Sequence, residues 1–217
     1  MQRKIFLIGP TLVLLGAMGL SGCANQVKVT SAWQENAPRN QSFTRVLVVG
    51  VSPDVNQRCE FEHVLAGQIQ SAATTAIASC DVVTQKDPLT RENIDQAIVA
   101  QKADGVVATI LVSKKWDTQE GGTRDTRGAG YYKATDVGYA GYGAYGVPTV
   151  YGDFQTQSSI ITLKGTVEVT SKVYETRGAT LIYTVDTKAS DLESTNVGRA
   201  TVAASIADRL YRDGLIR

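Results

Sequence analysis

The hydrophobic pattern of residues 45–112 predicts strands and helices that alternate along the chain. Residues 45–51 form an almost continuous apolar run, which is typical of a strand covered on both faces. After a break at residues 52–54, apolar residues recur at helical spacing over 61–73 and predict a first helix. Residues 74–79 favour a second strand, because adjacent threonines prefer strand to helix. The predicted buried stripe of the first helix is Phe61, Val64, Leu65, Ile69, Ala72 and Ala73.

A second helix and a third strand follow. Thr90 is placed to cap the amino terminus of this helix, with Leu89 positioned to pack against Ile94. We expect the helix to end at Gly105, because glycine suits the left-handed position that follows a helix. Residues 106–112 are typical of a buried strand. The predicted buried residues of the second helix are Ile94, Ala97 and Ile98.

The carboxyl-terminal part of the chain predicts a long hairpin and a last helix. Apolar residues alternate with polar ones over 161–173 and again over 180–186, with a turn at Gly178. Residues 197–211 show helical spacing. The pattern favours an α/β fold in which helices pack on a mixed sheet, in the order β-α-β-α-β-insertion-β-β-α. The predicted stripe of the last helix is Val202, Ala203, Ile206 and Leu210.

Residues 117–157 form a glycine- and tyrosine-rich insertion before the hairpin. They hold 9 of the 20 glycines and 6 of the 9 tyrosines. Because tyrosine offers a large contact area at low conformational cost, we expect this insertion to bind a partner. Residues 141–146 match the G-x-G-x-x-G spacing but lack the flanking strand and helix of a dinucleotide site, so none is predicted. The candidate partner-binding residues are Tyr131, Tyr132, Tyr139, Tyr142, Tyr145 and Tyr151.

The amino terminus has the pattern of a secretion signal. Two basic residues precede an apolar run that ends in Leu20-Ser21-Gly22-Cys23. This ending resembles the lipobox of bacterial lipoproteins, which implies cleavage before Cys23 and acylation of its thiol and its new amino group. Several acyl chains give lasting anchorage, because one chain alone binds only marginally. The predicted parts are a signal peptide (1–22), a lipidated tether (23–44) and a single α/β domain (45–217).

The charge balance argues against one class of partner. The sequence has 22 basic and 21 acidic residues, and the signal carries two of the basic ones. Nucleic-acid binding needs a basic excess or cluster, and neither is present, so no nucleic-acid partner is predicted. We therefore expect membrane attachment through the lipid. By resemblance to other bacterial lipoproteins, Ala24 rather than aspartate after Cys23 indicates the outer membrane, with the domain on the periplasmic side.

Cys59 and Cys80 are the two cysteines available for a disulfide in an oxidising periplasm. An unbroken helix between them would hold their Cα atoms about 30 Å apart, far beyond the roughly 7 Å that a bridge allows. A helix that ends near Ala73, followed by a strand that returns beside it, would bring both sulfurs to one edge of the domain. We favour the bridge, with two separate buried thiols as the alternative.

Few residues outside these features indicate catalysis or metal binding. His63 is the only histidine and lacks clustered cysteine or histidine at metal-binding spacing, so we expect a surface or boundary residue. Ser52 lies outside a nucleophile-elbow motif, and Asp186 and Asp191 are expected to be solvated. The segment 114–116, Lys-Lys-Trp, fits either a ligand crevice at a strand end or structural packing. No metal, cofactor or catalytic residue is predicted.

Several of these features together resemble a group of small bacterial envelope lipoproteins. They are the lipobox, the first strand, Arg58 with Phe61-Glu62 in the first helix, the insertion, and the hairpin over 167–183 with its terminal helix. More distantly, the order of elements is similar to the α/β domain of the curli-secretion channel lipoprotein and to the amino-terminal domain of the Tol β-propeller protein. The resemblance implies a periplasmic binding or assembly module.

Three functions remain as hypotheses. The first is a non-enzymatic outer-membrane lipoprotein that acts by protein contact through the insertion, by self-association or with another protein. The second is a subunit of an outer-membrane secretion pore, in which the insertion forms a membrane hairpin, although Lys133, Asp136 and several glycines spoil the alternation that this needs. The third is an envelope glycan hydrolase, which requires a cleft with a pair of acids whose pKa values are perturbed.

Overall fold

A computed structural model describes residues 26–52, 54–83, 89–118, 129–138, 149–157 and 163–217. The described chain forms strands, α-helices and one short 3₁₀ turn. The strands are β1 (Gln26–Trp33), β2 (Arg45–Val51), β3 (Thr75–Ala78), β4 (Gly105–Thr118), β5 (Ala129–Gly138), β6 (Thr149–Gln157), β7 (Leu163–Glu175) and β8 (Thr180–Leu192). The helices are α1 (Val55–Ile69), α2 (Arg91–Gln101) and α3 (Thr195–Arg212), and the 3₁₀ turn is Ser79–Asp81. None of the helices in these ranges is both long and apolar enough to cross a membrane.

The strands form one mixed sheet in the order β1-β8-β7-β4-β2-β3. β2 pairs in parallel with β3 and β4, whereas β4, β7, β8 and β1 pair in antiparallel fashion. β4 is long enough to have two neighbours on one side, with β2 against its first half and β5 against Ser113–Lys115. β6 then pairs with β5. The predicted α/β class and mixed sheet are confirmed.

The helices cover the sheet unequally. α1 and α3 pack on one face, where the core includes Val48 and Val107 from the sheet and Ile206 from α3. α2 packs on the other face, against Leu47 and Val49. Because successive residues of a strand point to opposite faces, the apolar run of β2 contributes side chains to the core on both faces of the sheet. The predicted buried stripes of α2 and α3 are confirmed.

Side-chain caps mark the starts of the helices. The Asp54 carboxylate accepts hydrogen bonds from the backbone N–H groups of Asn56 and Gln57 at 2.9 and 3.0 Å. Thr90 Oγ1 accepts from the N–H of Asn93 at 3.2 Å, as the sequence predicts. Such caps satisfy N–H groups that have no partner within the helix, and each contributes about 1 kcal/mol.

Part of the predicted tether (23–44) is a strand instead. Residues 26–33 form β1, an edge strand paired along its whole length with β8. The Trp33 ring packs edge-on against Tyr183, with centroids 4.9 Å apart, and Phe43 is part of the core. The pairing partners of β1 lie some 150 residues away in sequence, so local periodicity did not reveal the strand.

The predicted end of α2 is also wrong. The helix ends at Gln101, and Lys102 rather than Gly105 takes the left-handed conformation, with φ of 52°. Gly105 begins β4, where an added Cβ would lie 2.6 Å from the Phe43 ring. The glycine is therefore needed for close packing in the sheet. Asp104 instead accepts hydrogen bonds from the backbone N–H groups of Thr44 and Arg45.

The insertion contains more regular structure than its sequence indicates. Within residues 117–157, β5 and β6 form an antiparallel hairpin that continues the sheet from β4. Its strands were not predicted because glycines interrupt any alternation of apolar and polar residues. The remaining parts of the insertion lie outside the described residues.

The disulfide between Cys59 and Cys80 is present, with Cα atoms 5.6 Å apart. α1 ends at Ile69 and β3 returns beside it, so the chain follows the path on which the predicted bridge depends. The helix stops four residues earlier than expected, and the predicted stripe members Ala72 and Ala73 are exposed beyond its end.

Candidate binding site for an anionic group

A cleft opens on the face of the sheet that carries α1 and α3. It lies just beyond the carboxyl end of β2, over β4 and β7, between the first turns of the two helices. The edge beyond the carboxyl ends of parallel strands is a frequent place for ligands in α/β sheets. The volume of the cleft is about 80 Å³. The apolar lining residues are Val51, Phe61, Leu111, Trp116, Val167, Val169 and Val202.

Arg58 is the most deeply buried cation of the cleft. It lies in the second turn of α1 and is only 6% exposed. Within the described part of the chain, its Nε and Nη2 atoms are buried and have no hydrogen-bond partner. Its nearest counter-charge is Glu62, whose Oε1 is 3.5 Å from Nε. Buried N–H groups of a charged side chain are costly when unpaired, so this guanidinium is prepared to donate to an incoming acceptor.

Glu62 lies one turn further along α1 and is fully buried. Its carboxylate accepts hydrogen bonds from the backbone N–H of Gly50 at 2.8 Å and that of Cys80 at 2.7 Å. The Ser79 hydroxyl also donates to it, at 2.8 and 2.9 Å. Burial raises the pKa of Glu62, while these hydrogen bonds and the charge of Arg58 oppose the rise. The Glu62 carboxylate thus accepts from three other donors, so it neutralises the charge of Arg58 only in part.

Gly50 makes this arrangement possible. A Cβ at this position would lie 2.9 Å from Cγ of Arg58 and 3.3 Å from Glu62. Real Cβ atoms do not come as close as the first distance, so a larger residue in β2 would push both side chains off the strand. Gly50 thereby lets the charged pair lie directly against the sheet at the inner end of the cleft.

Two further cations line the cleft. Lys114 in β4 donates to Oε1 of Gln57 at 3.2 Å and lies 5.7 Å from the ring centroid of Trp116. Burial lowers the pKa of Lys114, and the nearby charge of Asp54 partly offsets this. Arg199 in α3 pairs with Glu60, which lies outside the lining. None of the lining residues within the described ranges is acidic.

The geometry suits a small anion attached to an apolar group. Guanidinium groups bind carboxylates and phosphates through parallel N–H bonds, and such charge-assisted bonds are stronger than neutral ones. The apolar walls would cover the hydrocarbon part of the same ligand. Pockets that hold whole small-molecule ligands usually have volumes of about 300–1,000 Å³, so a cleft of about 80 Å³ admits only the tip of a larger molecule or a small ion.

The residues predicted from the sequence cover only part of this site. Lys114 and Trp116 line the cleft, as the ligand-crevice interpretation of residues 114–116 expects, and Trp116 also packs against the core, as the packing interpretation expects, whereas Lys115 is exposed. Arg58 and Glu62 were not predicted as site residues. A signal was available, because both fall on the stripe that continues through Leu65 and Ile69. Charged residues on the buried face of a helix need partners and therefore mark candidate sites.

The other candidate residues are distributed elsewhere. Asp186 accepts a hydrogen bond from Thr170 and Asp191 pairs with Lys164, both away from the cleft. His63 has an exposed side chain, as expected, and also contacts the disulfide.

The candidate contact tyrosines and the lipidation site are only partly within the described chain. The backbones of Tyr131 and Tyr132 lie in β5 and that of Tyr151 in β6. Outside the described residues are Cys23, Tyr139, Tyr142 and Tyr145.

A scan against protein-family models finds no match for the chain, and a comparison with curated proteins finds none either. Solved structures with a similar fold include a PelC dodecamer from Paraburkholderia phytofirmans, at 9% identity, with 88% of this chain and 99% of that chain covered and a TM-score of 0.45. Another is lipoprotein GNA1162 from Neisseria meningitidis, at 12% identity, with coverages of 78% and 99% and a TM-score of 0.38. At these identities the likeness concerns fold and assigns neither ligand nor activity.

Proposed function

We propose that this protein is an outer-membrane lipoprotein, anchored through acylated Cys23, that acts in the periplasm as a non-enzymatic binding or assembly module. In this proposal the cleft receives a carboxylate of a partner protein. The observation that carries it is the guanidinium of Arg58, which is buried with two nitrogens lacking hydrogen-bond partners. A protein carboxylate would satisfy both nitrogens, and its hydrocarbon stem would pack on the apolar walls.

The position of the insertion supports a protein as the ligand. β5 pairs with β4 at Ser113–Lys115, so the backbone of Tyr132 lies opposite that of Lys114, which lines the cleft. The predicted contact tyrosines of β5 therefore begin beside the cleft. A partner that contacts the insertion would also contact the cleft. The cleft would then be one small pocket within a larger protein–protein interface.

Anion binding is tested with the whole chain carrying Cys23→Ser, titrated with acetate, propionate and inorganic phosphate by calorimetry or NMR. We expect weak binding that Arg58→Met reduces by at least tenfold, since a charge-assisted hydrogen bond contributes about 1.5–3 kcal/mol. Tighter binding of propionate than of phosphate supports a carboxylate with an apolar stem. Arg212→Met, at an exposed position of α3, is the matched control. Equal affinities in parent and Arg58→Met would refute the cleft as the site.

Partner binding is tested in intact cells with a photo-crosslinking residue at Thr195, which lines the cleft. We expect a protein adduct that disappears in Arg58→Met and persists in Arg212→Met. Replacing residues 121–152 with a short Gly-Ser linker removes β5 and part of β6, and should remove the adduct while the helical circular dichroism signal of α1, α2 and α3 is retained. An unchanged adduct in both variants would contradict the proposal.

Anchorage is tested separately by fractionating cells that express the parent or Cys23→Ser. The parent is expected in the outer membrane and the variant in the soluble periplasmic fraction or in an unprocessed form. Identical fractionation, or a parent that keeps its first 22 residues, would overturn the lipid anchor without bearing on the cleft.

A further inference from the structure

Three side chains with metal-binding chemistry meet at the outer side of α1. Cys59 and His63 are one turn apart on the helix and share a face, and Cys80 joins them from the 3₁₀ turn. His63 Nδ1 is 3.9 Å from Sγ of Cys59, and Nε2 is 3.8 Å from Sγ of Cys80. The two sulfurs and a ring nitrogen all lie within 4.8 Å of one another. This set of three residues is hereafter the Cys-His cluster.

Asp81 completes the arrangement by holding the ring of His63. Its Oδ1 is 2.8 Å from Nε2, which favours a proton on Nε2 and leaves Nδ1 free as a donor of electrons. Histidine ligands of metals commonly give their second N–H to a carboxylate in this way, which fixes the tautomer and the ring orientation. His63 is 52% exposed and Asp81 is 56% exposed, so a hydrated cation has access from solvent.

Two thiolates and one imidazole form a ligand set that suits a thiophilic cation. Zinc binds sulfur at about 2.3 Å and nitrogen at about 2.0–2.1 Å with tetrahedral geometry. In such a centre the two sulfurs bind the metal and not each other, so they lie further apart than in a disulfide. The Cys-His cluster can therefore take this geometry only after the S–S bond is broken. Three protein ligands leave the fourth position for water.

We propose that reduction converts the Cys59–Cys80 disulfide into a binding site for a divalent thiophilic cation such as zinc. A dithiol reductant supplies two electrons and two protons, the S–S bond breaks to give two thiols, and the reductant becomes a disulfide. The cation then displaces both thiol protons and forms two metal–sulfur bonds and one bond to Nδ1 of His63. Two thiolates neutralise the charge of the cation. This inference does not depend on the proposed function of the cleft.

The experiment uses the whole chain carrying Cys23→Ser, so that Cys59 and Cys80 are its only cysteines. The protein is reduced, freed of reductant under anaerobic conditions and titrated with Co²⁺, followed by zinc displacement. We expect one Co²⁺ per chain, with thiolate charge-transfer absorption and visible bands of a tetrahedral site, and release of the thiol protons on binding. The oxidised protein should show none of these signals.

Variants separate a built site from two incidental thiols. His63→Ala is expected to weaken Co²⁺ binding by at least tenfold, and Asp81→Asn by about 10–100-fold. Asp208→Asn, an exposed carboxylate on α3, is the matched control and should change nothing. If reduction unfolds the chain, metal should restore the circular dichroism of the oxidised form, because binding then drives folding. Absence of charge-transfer absorption, or equal affinity in His63→Ala and the parent, would overturn the proposal.

Discussion

The helices α1 and α3 pack on the same face of the sheet and each carries an arginine and an acid one turn apart, but the two pairs have opposite environments. Arg58 and Glu62 of α1 are 6% and 0% exposed, whereas Arg212 and Asp208 of α3 are 69% and 53% exposed. Burial of an ion pair is poor evidence of stabilisation, because desolvation of two charges offsets their attraction. Arg58 of the buried pair lines the cleft, whereas the exposed pair of α3 lies outside it, so the burial of charge in α1 fits the proposed binding role.

The buried faces of the two helices support this difference. α3 presents an apolar stripe that includes Val202, Ile206 and Leu210. The stripe of α1 is apolar only from Leu65 onwards, and its first turns place charged residues at the same inward positions. From Val202 onwards α3 contributes hydrophobic burial, whereas the inward positions of α1 change along the helix from charged to apolar residues.

The largest effect on the free energy of unfolding is expected from removing Glu62, the acidic member of the buried pair. Glu62→Ala removes the acceptor of Gly50 N–H, Cys80 N–H and the Ser79 hydroxyl, and leaves Arg58 without its counter-charge. Loss of one partner of a buried ion pair costs about 3–5 kcal/mol. Urea unfolding should show this loss in the free energy of unfolding. A loss no larger than that of Asp208→Ala would show that burial does not distinguish the two pairs.

Removing the basic end of the same pair should have a different outcome. Arg58→Met keeps the volume of the side chain and leaves Glu62 with its other hydrogen-bond donors, so the free energy of unfolding should fall clearly less than in Glu62→Ala. Anion affinity should nevertheless fall by about 10–100-fold, corresponding to a charge-assisted hydrogen bond of about 1.5–3 kcal/mol. The two measurements, denaturation and anion titration, would then assign Glu62 to stability and Arg58 to binding. Equal losses of stability would contradict this division.

Anion affinity should also depend on pH through Lys114. Burial lowers the pKa of Lys114 below its ordinary value of 10.5, and only the charged form attracts an anion. Affinity should therefore be full at neutral pH and fall as pH rises through the lowered pKa, by about fivefold if the interaction is on the order of 1 kcal/mol. In Lys114→Arg the charge persists at every accessible pH, so the decline should disappear. The same decline in Lys114→Arg and the parent would assign the titration to another group.

Much of the fold could be predicted because many of its helices and strands have clear signals in their own local sequence. β2, α2, α3 and the β7–β8 hairpin have periodic apolar residues or caps such as Thr90. The disulfide was favoured over two separate thiols from the helix and strand lengths together with the strand preference of Thr74 and Thr75. β1 was missed because its stability comes from pairing with a distant strand. The β5–β6 hairpin was missed because its glycines and short polar residues carry no clear alternation.

The candidate site was less predictable because several distant segments form it. Arg58, Lys114 and Arg199 come from α1, β4 and α3, and no spacing along the chain brings them together. The buried face of α1 was also predicted incompletely. The predicted stripe began at Phe61, because only apolar residues were assigned to it, whereas the buried face includes Arg58 and Glu62. Charge on an inward helix position conflicts with the local pattern, and such conflicts concentrate at functional sites.

The smallest effect is expected at the exposed pair, and it completes the comparison. Arg212 and Asp208 make two contacts of 3.1 Å, closer than the 3.5 Å contact of Arg58 and Glu62. Geometry alone would thus rank the exposed pair as the stronger one. Because water and salt screen exposed charges, Asp208→Asn should change the free energy of unfolding by only about 0.3–0.5 kcal/mol and leave anion affinity unchanged. Urea unfolding at low and high salt measures this, and the small difference should vanish at high salt; a larger, salt-independent loss would mean that distance rather than burial determines what an arginine–acid pair contributes in this fold.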